Sequence, residues 1–108
     1  MKKWSSDEGK CPISYTLSIM GGRWKWLILY KIYENKILRY SDLKKKIPSI
    51  TDKMLSQQLR ELQSDHILYR KDYVQIPPKV EYSLTKIGYT LIPILLLMSE
   101  WGEKNKIK

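Results

Sequence analysis

The alternation of hydrophobic and polar residues predicts a series of short helices and three strand-like runs. A first helix begins at Pro12, where a missing N–H costs nothing, and ends at the glycine pair at 21 and 22. The next segment, RWKWLILYKIYEN, is apolar around most of a helical wheel, so we expect a helix largely buried at the centre of the domain. The run KILRY then predicts a short strand.

Two further helices are separated only by the turn PSI. Ser41 is expected to cap a brief helix, DLKKKI, that Pro48 stops, and Thr51 is expected to cap the helix in TDKMLSQQLREL. That second helix gathers three leucines in one narrow sector and polar residues in the opposite one (Lys53, Gln57, Arg60 and, just beyond, Ser64). The spacing is that of a helix-turn-helix, although any small helical protein contains such pairs.

The stretch ILYRKDYVQIPPKVEYSLT alternates on both sides of a doubled proline, which predicts a β-hairpin. A hairpin directly after a helix-turn-helix is a wing. Thr85 is expected to cap one last helix running to about Lys104, with Pro93 inside it causing a kink or a lost backbone bond. The expected fold is mainly α with a small β-wing: a dimeric winged helix-turn-helix.

The length of 108 residues suits one domain. We expect an N-terminal arm at 1–10, a winged helix-turn-helix domain with dimerisation helices at both ends over 11–104, and a basic tail at 105–108. The 20 basic residues exceed the 11 acidic ones by nine, which favours a polyanion such as nucleic acid or an acidic membrane surface. A generally cationic soluble protein is the alternative.

Targeting signals and catalytic motifs are not recognisable in the sequence. The start carries no apolar run, and the longest apolar stretch, LIPILLLM, has only eight residues, so we expect a cytoplasmic protein without membrane contact. One His, one Cys and no glycine-rich phosphate loop argue against an enzyme, a metal site or a cofactor.

Three segments together resemble the HxlR-type branch of the MarR-like winged-helix transcription regulators: CPISYTLSIMGGRWKWLIL, RYSDLKKKIPSITDKMLSQQLRELQ and PPKVEYSLTKIGYTLIPIL. The similarity runs from Cys11 to about Gly102. It implies a homodimer that binds double-stranded operator DNA. We expect this binding to repress transcription. The chain departs from the family pattern at His66, where a glycine commonly ends the recognition helix, and in the turns PSI and ENK.

The polar face of the second helix-turn-helix helix suits the major groove, where Gln pairs with adenine and Arg or Lys with guanine. Phosphates require only positive charge and N–H donors, and the resemblance places a basic residue after the doubled proline at the DNA. A solvated helix face is the alternative, and Arg70 and Lys71 could be ordinary strand residues. The DNA-binding candidates are Lys44, Lys45, Lys46, Thr51, Lys53, Ser56, Gln57, Arg60 and Lys79.

The last helix carries more apolar residues than a chain of this size easily covers. We expect it to form a two-fold interface with the first helix and Trp4, and a wholly intramolecular core helix is the alternative. The candidate interface residues are Leu91, Ile94, Leu95, Met98 and Trp101.

Cys11 precedes the first helix, whose unsatisfied N–H groups and dipole favour the reactive thiolate. Several members of the family that the chain resembles respond to oxidants or electrophiles through a cysteine near the N-terminus, so Cys11 is a candidate sensor. An inert cap or packed thiol is the alternative. For the whole protein, the other function that stays open is a winged-helix module using its surface for protein or RNA contacts.

Overall fold

A computed structural model of the chain describes residues 11–106, and within that range it contains six helices and three strands. The predicted arm at 1–10, including Trp4, and the last two residues of the predicted tail lie outside the described residues. The elements in chain order are α1 (Pro12–Met20), α2 (Lys25–Asn35), β1 (Ile37–Arg39), α3 (Tyr40–Lys46), α4 (Asp52–Ser64), β2 (Leu68–Asp72), β3 (Val80–Leu84), α5 (Lys86–Thr90) and α6 (Ile92–Asn105).

The three strands form one antiparallel sheet in the order β1-β3-β2. Tyr82 in the central strand pairs with Leu38 on one side and Arg70 on the other. Strand β3 alternates as expected, because Tyr82 and Leu84 are buried and the residues between and before them are half-buried. The hairpin of β2 and β3 follows α3 and α4 directly, so the predicted winged helix-turn-helix architecture is confirmed.

The core forms around α2, as its continuous apolar character predicts. Ile28, Leu29 and Ile32 are fully buried, and they belong to one cluster with the leucines of α4 and the inner face of β3. Burial of this many aliphatic side chains is the main force holding the helix-turn-helix to the sheet.

The start of α3 differs from the sequence prediction. The helix begins at Tyr40 and its N-cap is Arg39, so Ser41 lies inside the first turn and does not cap it. Asp42 explains the earlier start, because its Oδ2 accepts a hydrogen bond from the backbone N–H of Arg39 at 3.2 Å. A carboxylate three residues after the cap satisfies one of the free donors at a helix start.

The prediction of a single C-terminal helix from Thr85 to about Lys104 is wrong, because the structure divides this segment into α5 and α6 at Leu91. Thr85 does cap α5, since its hydroxyl accepts from the backbone N–H of Gly88 at 3.0 Å. Pro93 lies in the first turn of α6, a position where a missing N–H removes no intrahelical bond. The proline therefore sets the start of a new helix.

The departures expected at the turns coincide with unusual backbone geometry. His66 follows α4 with a φ of 62°, and Lys36 follows α2 with a φ of 68°. Both lie in the left-handed region, where glycine is the least strained residue. His66 thus adopts a conformation for which the family that the chain resembles commonly has glycine at the end of the recognition helix.

Candidate nucleic-acid interface

Helix α4 presents two chemically different faces. Leu55, Leu59 and Leu62 are buried against the core, with 0, 2 and 0% exposure. On the other side Lys53, Gln57 and Arg60 are exposed, and Ser56 is half-buried beside them. The leucines fix the helix on the domain and leave a row of hydrogen-bonding side chains pointing outwards.

The beginning of α4 is tied to α3 by hydrogen bonds. Thr51 Oγ1 accepts from the backbone N–H of Met54 at 3.1 Å, which confirms the predicted cap. The Tyr40 hydroxyl lies 3.0 Å from Asp52 Oδ1 and 3.3 Å from Ser56 Oγ. Burial, followed by smaller contributions from Asp52, raises the pKa of Tyr40. Ser56 is therefore hydrogen-bonded to Tyr40. A helical wheel of α4 alone could not predict this contact.

The three lysines at the end of α3 are not equivalent. Lys45 and Lys46 are exposed, and neither forms an ion pair with any residue between 11 and 106. The ammonium of Lys44 instead donates to the carbonyl of Ile50 at 2.6 Å and lies 3.8 Å from Asp52 Oδ1. Lys44 thus closes the turn between α3 and α4, whereas Lys45 and Lys46 offer their charge to the surroundings.

Lys79 is part of a cluster at the loop end of the β2–β3 hairpin. Its Nζ lies 4.4 Å from the centre of the Tyr73 ring and 3.6 Å from Glu81 Oε2, while Lys71 approaches the same ring at 4.7 Å. The Tyr73 hydroxyl donates to Glu81 Oε1 at 2.6 Å, a hydrogen bond that raises the pKa of Tyr73 and lowers that of Glu81. The charge of Lys79 is consequently partly compensated by its neighbour.

An ion pair that joins the start of α2 to α4 was not expected from the sequence. Lys25 at the start of α2 is only 4% exposed, and its Nζ lies 2.6 Å from Glu61 Oε1. The hydrogen bond from Lys25 is the main cause that lowers the pKa of Glu61. The other carboxylate oxygen, Oε2, accepts from Gln57 Nε2 at 3.2 Å. The sequence offered only a weak signal, because Lys25 is one of two lysines in a mostly apolar helix.

Helix α6 exposes an apolar stripe that runs along one side of the helix. Ile94, Leu97, Met98 and Trp101 recur at helical spacing and are 43, 66, 45 and 69% exposed. Leu95 does not belong to this stripe, because it is 5% exposed and packs with Ile92 in the chain's own core. Its predicted place in a subunit interface is therefore not supported by its burial.

The other two regions expected at the interface, Leu91 and helix α1, differ in how far their apolar side chains are exposed. Leu91 is half-buried and packs against the core, so it offers little free surface. In α1, by contrast, Ile13, Tyr15 and Leu17 are 72, 61 and 46% exposed. The first helix thus leaves large apolar side chains uncovered, as its predicted role in a two-fold interface requires.

Cys11 is the exposed N-cap residue of α1. Its side chain makes no hydrogen bond close enough to count as a cap. Even so, the backbone amides of Ser14 and then Ile13 favour negative charge on the sulfur and lower the pKa of Cys11. An accessible thiol with a lowered pKa has the properties that reactive cysteines need.

Among residues 11–106, no three His, Cys, Asp or Glu side chains lie together as a metal site. In the same part of the chain no helix has both the length and the apolarity needed to span a bilayer.

The helix-turn-helix, the wing beside it and the outward polar face of α4 define a winged helix-turn-helix protein. The chain matches the model of a family described as HxlR-like helix-turn-helix over residues 19–108, and it belongs to that family. This family consists of transcription regulators and is not a class of enzymes.

Known proteins similar to the chain agree with that assignment. MalR of Fusobacterium mortiferum is 54% identical over 96 residues, covering 89% of this chain and 91% of MalR. The HTH-type transcriptional regulator YybR of Bacillus subtilis (strain 168) is 50% identical over 103 residues, covering 95% of this chain and 81% of YybR. The predicted function as a helix-turn-helix transcription regulator is confirmed.

Among solved structures, the redox regulator HypR in its oxidised form is 48% identical to the chain with a TM-score of 0.85. The superposition covers 91% of this chain and 100% of HypR. At this identity and coverage the two chains share both the fold and the family.

Proposed function

We propose that this regulator acts in the cytoplasm as a homodimer that binds operator DNA and represses transcription. Helix α4 enters the major groove and the wing of β2 and β3 lies along the neighbouring backbone. The observation that carries the proposal is the division of α4 into a fully buried leucine face and an exposed face of hydrogen-bonding residues. A recognition helix needs both faces.

The side chains divide by the chemistry that each can perform. Gln57 and Lys53, one turn apart, are suited to base edges, whereas Lys45, Lys46 and Arg60 are suited to phosphates. Ser56 and Thr51 hold the start of α4 in place and can add hydrogen bonds at the DNA surface. Lys44 and Lys79 contribute positive charge that Asp52 and Glu81 partly offset.

The dimer is supported by the uncovered apolar side chains of α1 and α6. A second copy is the simplest partner for such a stripe, because a two-fold interface buries the same surface on both subunits. Two recognition helices then require operator half-sites separated by one helical turn, about 34 Å, or a multiple of it.

Binding to nucleic acid is tested with fluorescein-labelled duplexes from the promoter regions around the protein's own gene, using anisotropy at several salt concentrations. Single-stranded RNA of matched length is the control. Tighter binding to one duplex than to random duplex and RNA supports the proposal. Equal or tighter binding to RNA would favour the other candidate, an RNA-binding winged helix.

We also propose that Cys11 couples an oxidant or electrophile to DNA release. The similar protein HypR is a redox regulator, and Cys11 is exposed with a lowered pKa. Since the chain has one cysteine, the products open to it include an intersubunit disulfide, a mixed disulfide with a small thiol, and an adduct with the electrophile. Any of these at the root of α1 alters the helix that we place at the dimer interface.

The sensing proposal is tested by treating the DNA-bound protein with diamide or a quinone. Wild type is expected to change its DNA affinity, and Cys11→Ser is expected to bind DNA normally without responding. Mass spectrometry of the treated protein identifies which of these products is made. Identical responses of both proteins would assign Cys11 a purely structural role.

A further inference from the structure

Three side chains form a continuous chain of contacts from the core to the DNA-facing side of α4. Lys25 Nζ contacts Glu61 Oε1 at 2.6 Å, and Glu61 Oε2 accepts from Gln57 Nε2 at 3.2 Å. The first member is buried, the second is half-buried and the third is exposed. A group fixed in the core is thereby connected to the residue that we propose reads a base.

The chemistry of these groups determines how the Gln57 amide is oriented. An ionised carboxylate can only accept hydrogen bonds, so the part of Gln57 that faces Glu61 must be its NH₂ group. The ammonium of Lys25 favours the ionised form of Glu61, and its attachment at the start of α2 fixes where that carboxylate lies. Without this neighbour, the two ends of a glutamine amide could exchange places at little cost.

We propose that Glu61, held by Lys25, is a positioning residue that sets the base specificity of Gln57. One amide hydrogen of Gln57 is used on Glu61, and this leaves its oxygen and its second hydrogen for the DNA. An acceptor with a donor beside it matches the amino group and N7 of adenine in the major groove. The inference rests on the proposed function, because it requires α4 to contact base edges.

The variant Glu61→Gln gives the sharpest test. Its side-chain oxygen is needed by Lys25, so its NH₂ group faces Gln57, whose amide must then turn its oxygen inwards. The outward NH₂ of Gln57 now matches acceptors, namely guanine N7 and O6 or thymine O4. The preferred base should change, whereas a purely structural role for Glu61 would weaken binding to all sequences alike.

The experiment measures affinities for an operator duplex in which each base pair is replaced in turn. We expect Glu61→Gln to lose the adenine preference at the one base pair where Gln57→Ala also loses it, by roughly tenfold. Glu34→Gln is the matched control, because Glu34 is exposed on α2 and its ion pair within residues 11–106 is with Lys31 and not with α4. The control should keep the wild-type pattern.

A second measurement covers the free protein. In the ¹⁵N–¹H spectrum, the Gln57 side-chain amide, assigned by its absence in Gln57→Ala, should show one proton shifted by its hydrogen bond in wild type and not in Glu61→Gln.

If Glu61→Gln does not fold, the double variant Lys25→Met/Glu61→Met replaces the pair with apolar side chains, a change that proteins often tolerate. It should relax the base preference without reversing it.

The proposed function and the positioning role of Glu61 can fail separately. A wild type that binds no duplex preferentially would overturn the proposed function and this inference with it. A wild type with a clear base preference that Glu61→Gln and the double variant both retain would overturn the inference alone.

Discussion

Helices α4 and α6 are built alike on one side and differently on the other. Each buries an aliphatic stripe in the core, with Leu55 and Leu59 in α4 and Ile92 and Leu95 in α6. The free face of α4 carries amide, ammonium and guanidinium groups, whereas that of α6 carries Leu97, Trp101 and their apolar neighbours. The buried stripes explain why both segments are helices in this fold.

The exposed faces therefore carry the information about partners. A row of donors and positive charges suits a polyanion with hydrogen-bonding edges, and it would gain little from an apolar partner. An apolar stripe suits a surface that excludes water, such as the same stripe on a second subunit. Two helices of similar length thus serve two partners because their outer residues differ.

The largest expected effect is the difference in stability loss between substitutions on the buried and the exposed side of α6. Leu95→Ala removes a buried side chain and is expected to lower the free energy of unfolding by about 2 to 5 kcal/mol. Leu97→Ala should lower it less, and its loss should shrink on dilution, because both proteins then dissociate and the contribution of the interface disappears from each. Urea unfolding at two protein concentrations measures both variants. Equal losses that do not depend on concentration would contradict the distinction.

The next test addresses the partner of α6. Leu97→Glu puts a carboxylate into the proposed interface and should convert the dimer to monomer, because burying an unpaired charge is unfavourable. Ser99→Glu is the control, since Ser99 is exposed on α6 away from the stripe. Light scattering with circular dichroism reports mass and folding. A folded Leu97→Glu dimer would move the interface away from α6.

A smaller effect should distinguish two adjacent lysines of α3. Lys45→Ala is expected to weaken binding to all duplexes and to reduce the salt dependence of the affinity by about one counterion. Lys44→Ala should also lower the thermal midpoint, because the Lys44 ammonium holds the carbonyl of Ile50. Anisotropy titrations and thermal melts measure the two quantities. The same melting loss for both variants would contradict their separate roles.

The smallest effect concerns pH and the ion pair behind α4. The pKa of Glu61 is lowered in the folded protein, chiefly by Lys25, so its stabilising contribution is present at neutral pH and lost as the pH falls through the lowered pKa. Glu61→Gln should therefore be less stable than wild type at pH 7, with the difference shrinking below about pH 4. Urea titrations across that range provide the test. A difference that is constant with pH would rule out the charge as its source.

The helix-turn-helix and wing could be predicted because their signals are local. Thr51 stands directly before an amphipathic segment and does cap it, and the doubled proline separates two alternating runs that do form the hairpin. The division at Leu91 was missed because the apolar pattern continues through it. A proline in such a pattern fits both a kinked helix and the first turn of a new one.

The contacts of individual side chains were less accessible to sequence reasoning. Leu95 and Leu97 are both leucines on one apolar helix, and only the packing of α6 against the core shows which of them is buried. Lys25 and Glu61 lie far apart in the sequence, so no periodic pattern could connect them. Sequence periodicity indicates faces of helices, whereas pairing across the fold depends on how the elements pack.

The most direct test of the central claim, that the polar face of α4 reads bases, is a thermodynamic cycle between Gln57 and the operator. The affinities of wild type and Gln57→Ala are measured for the operator and for each single base-pair replacement. The account predicts that Gln57→Ala loses about 1 to 3 kcal/mol of discrimination at one base pair in each half-site and retains the rest. An equal loss of affinity on operator and random duplexes would show that Gln57 does not read a base.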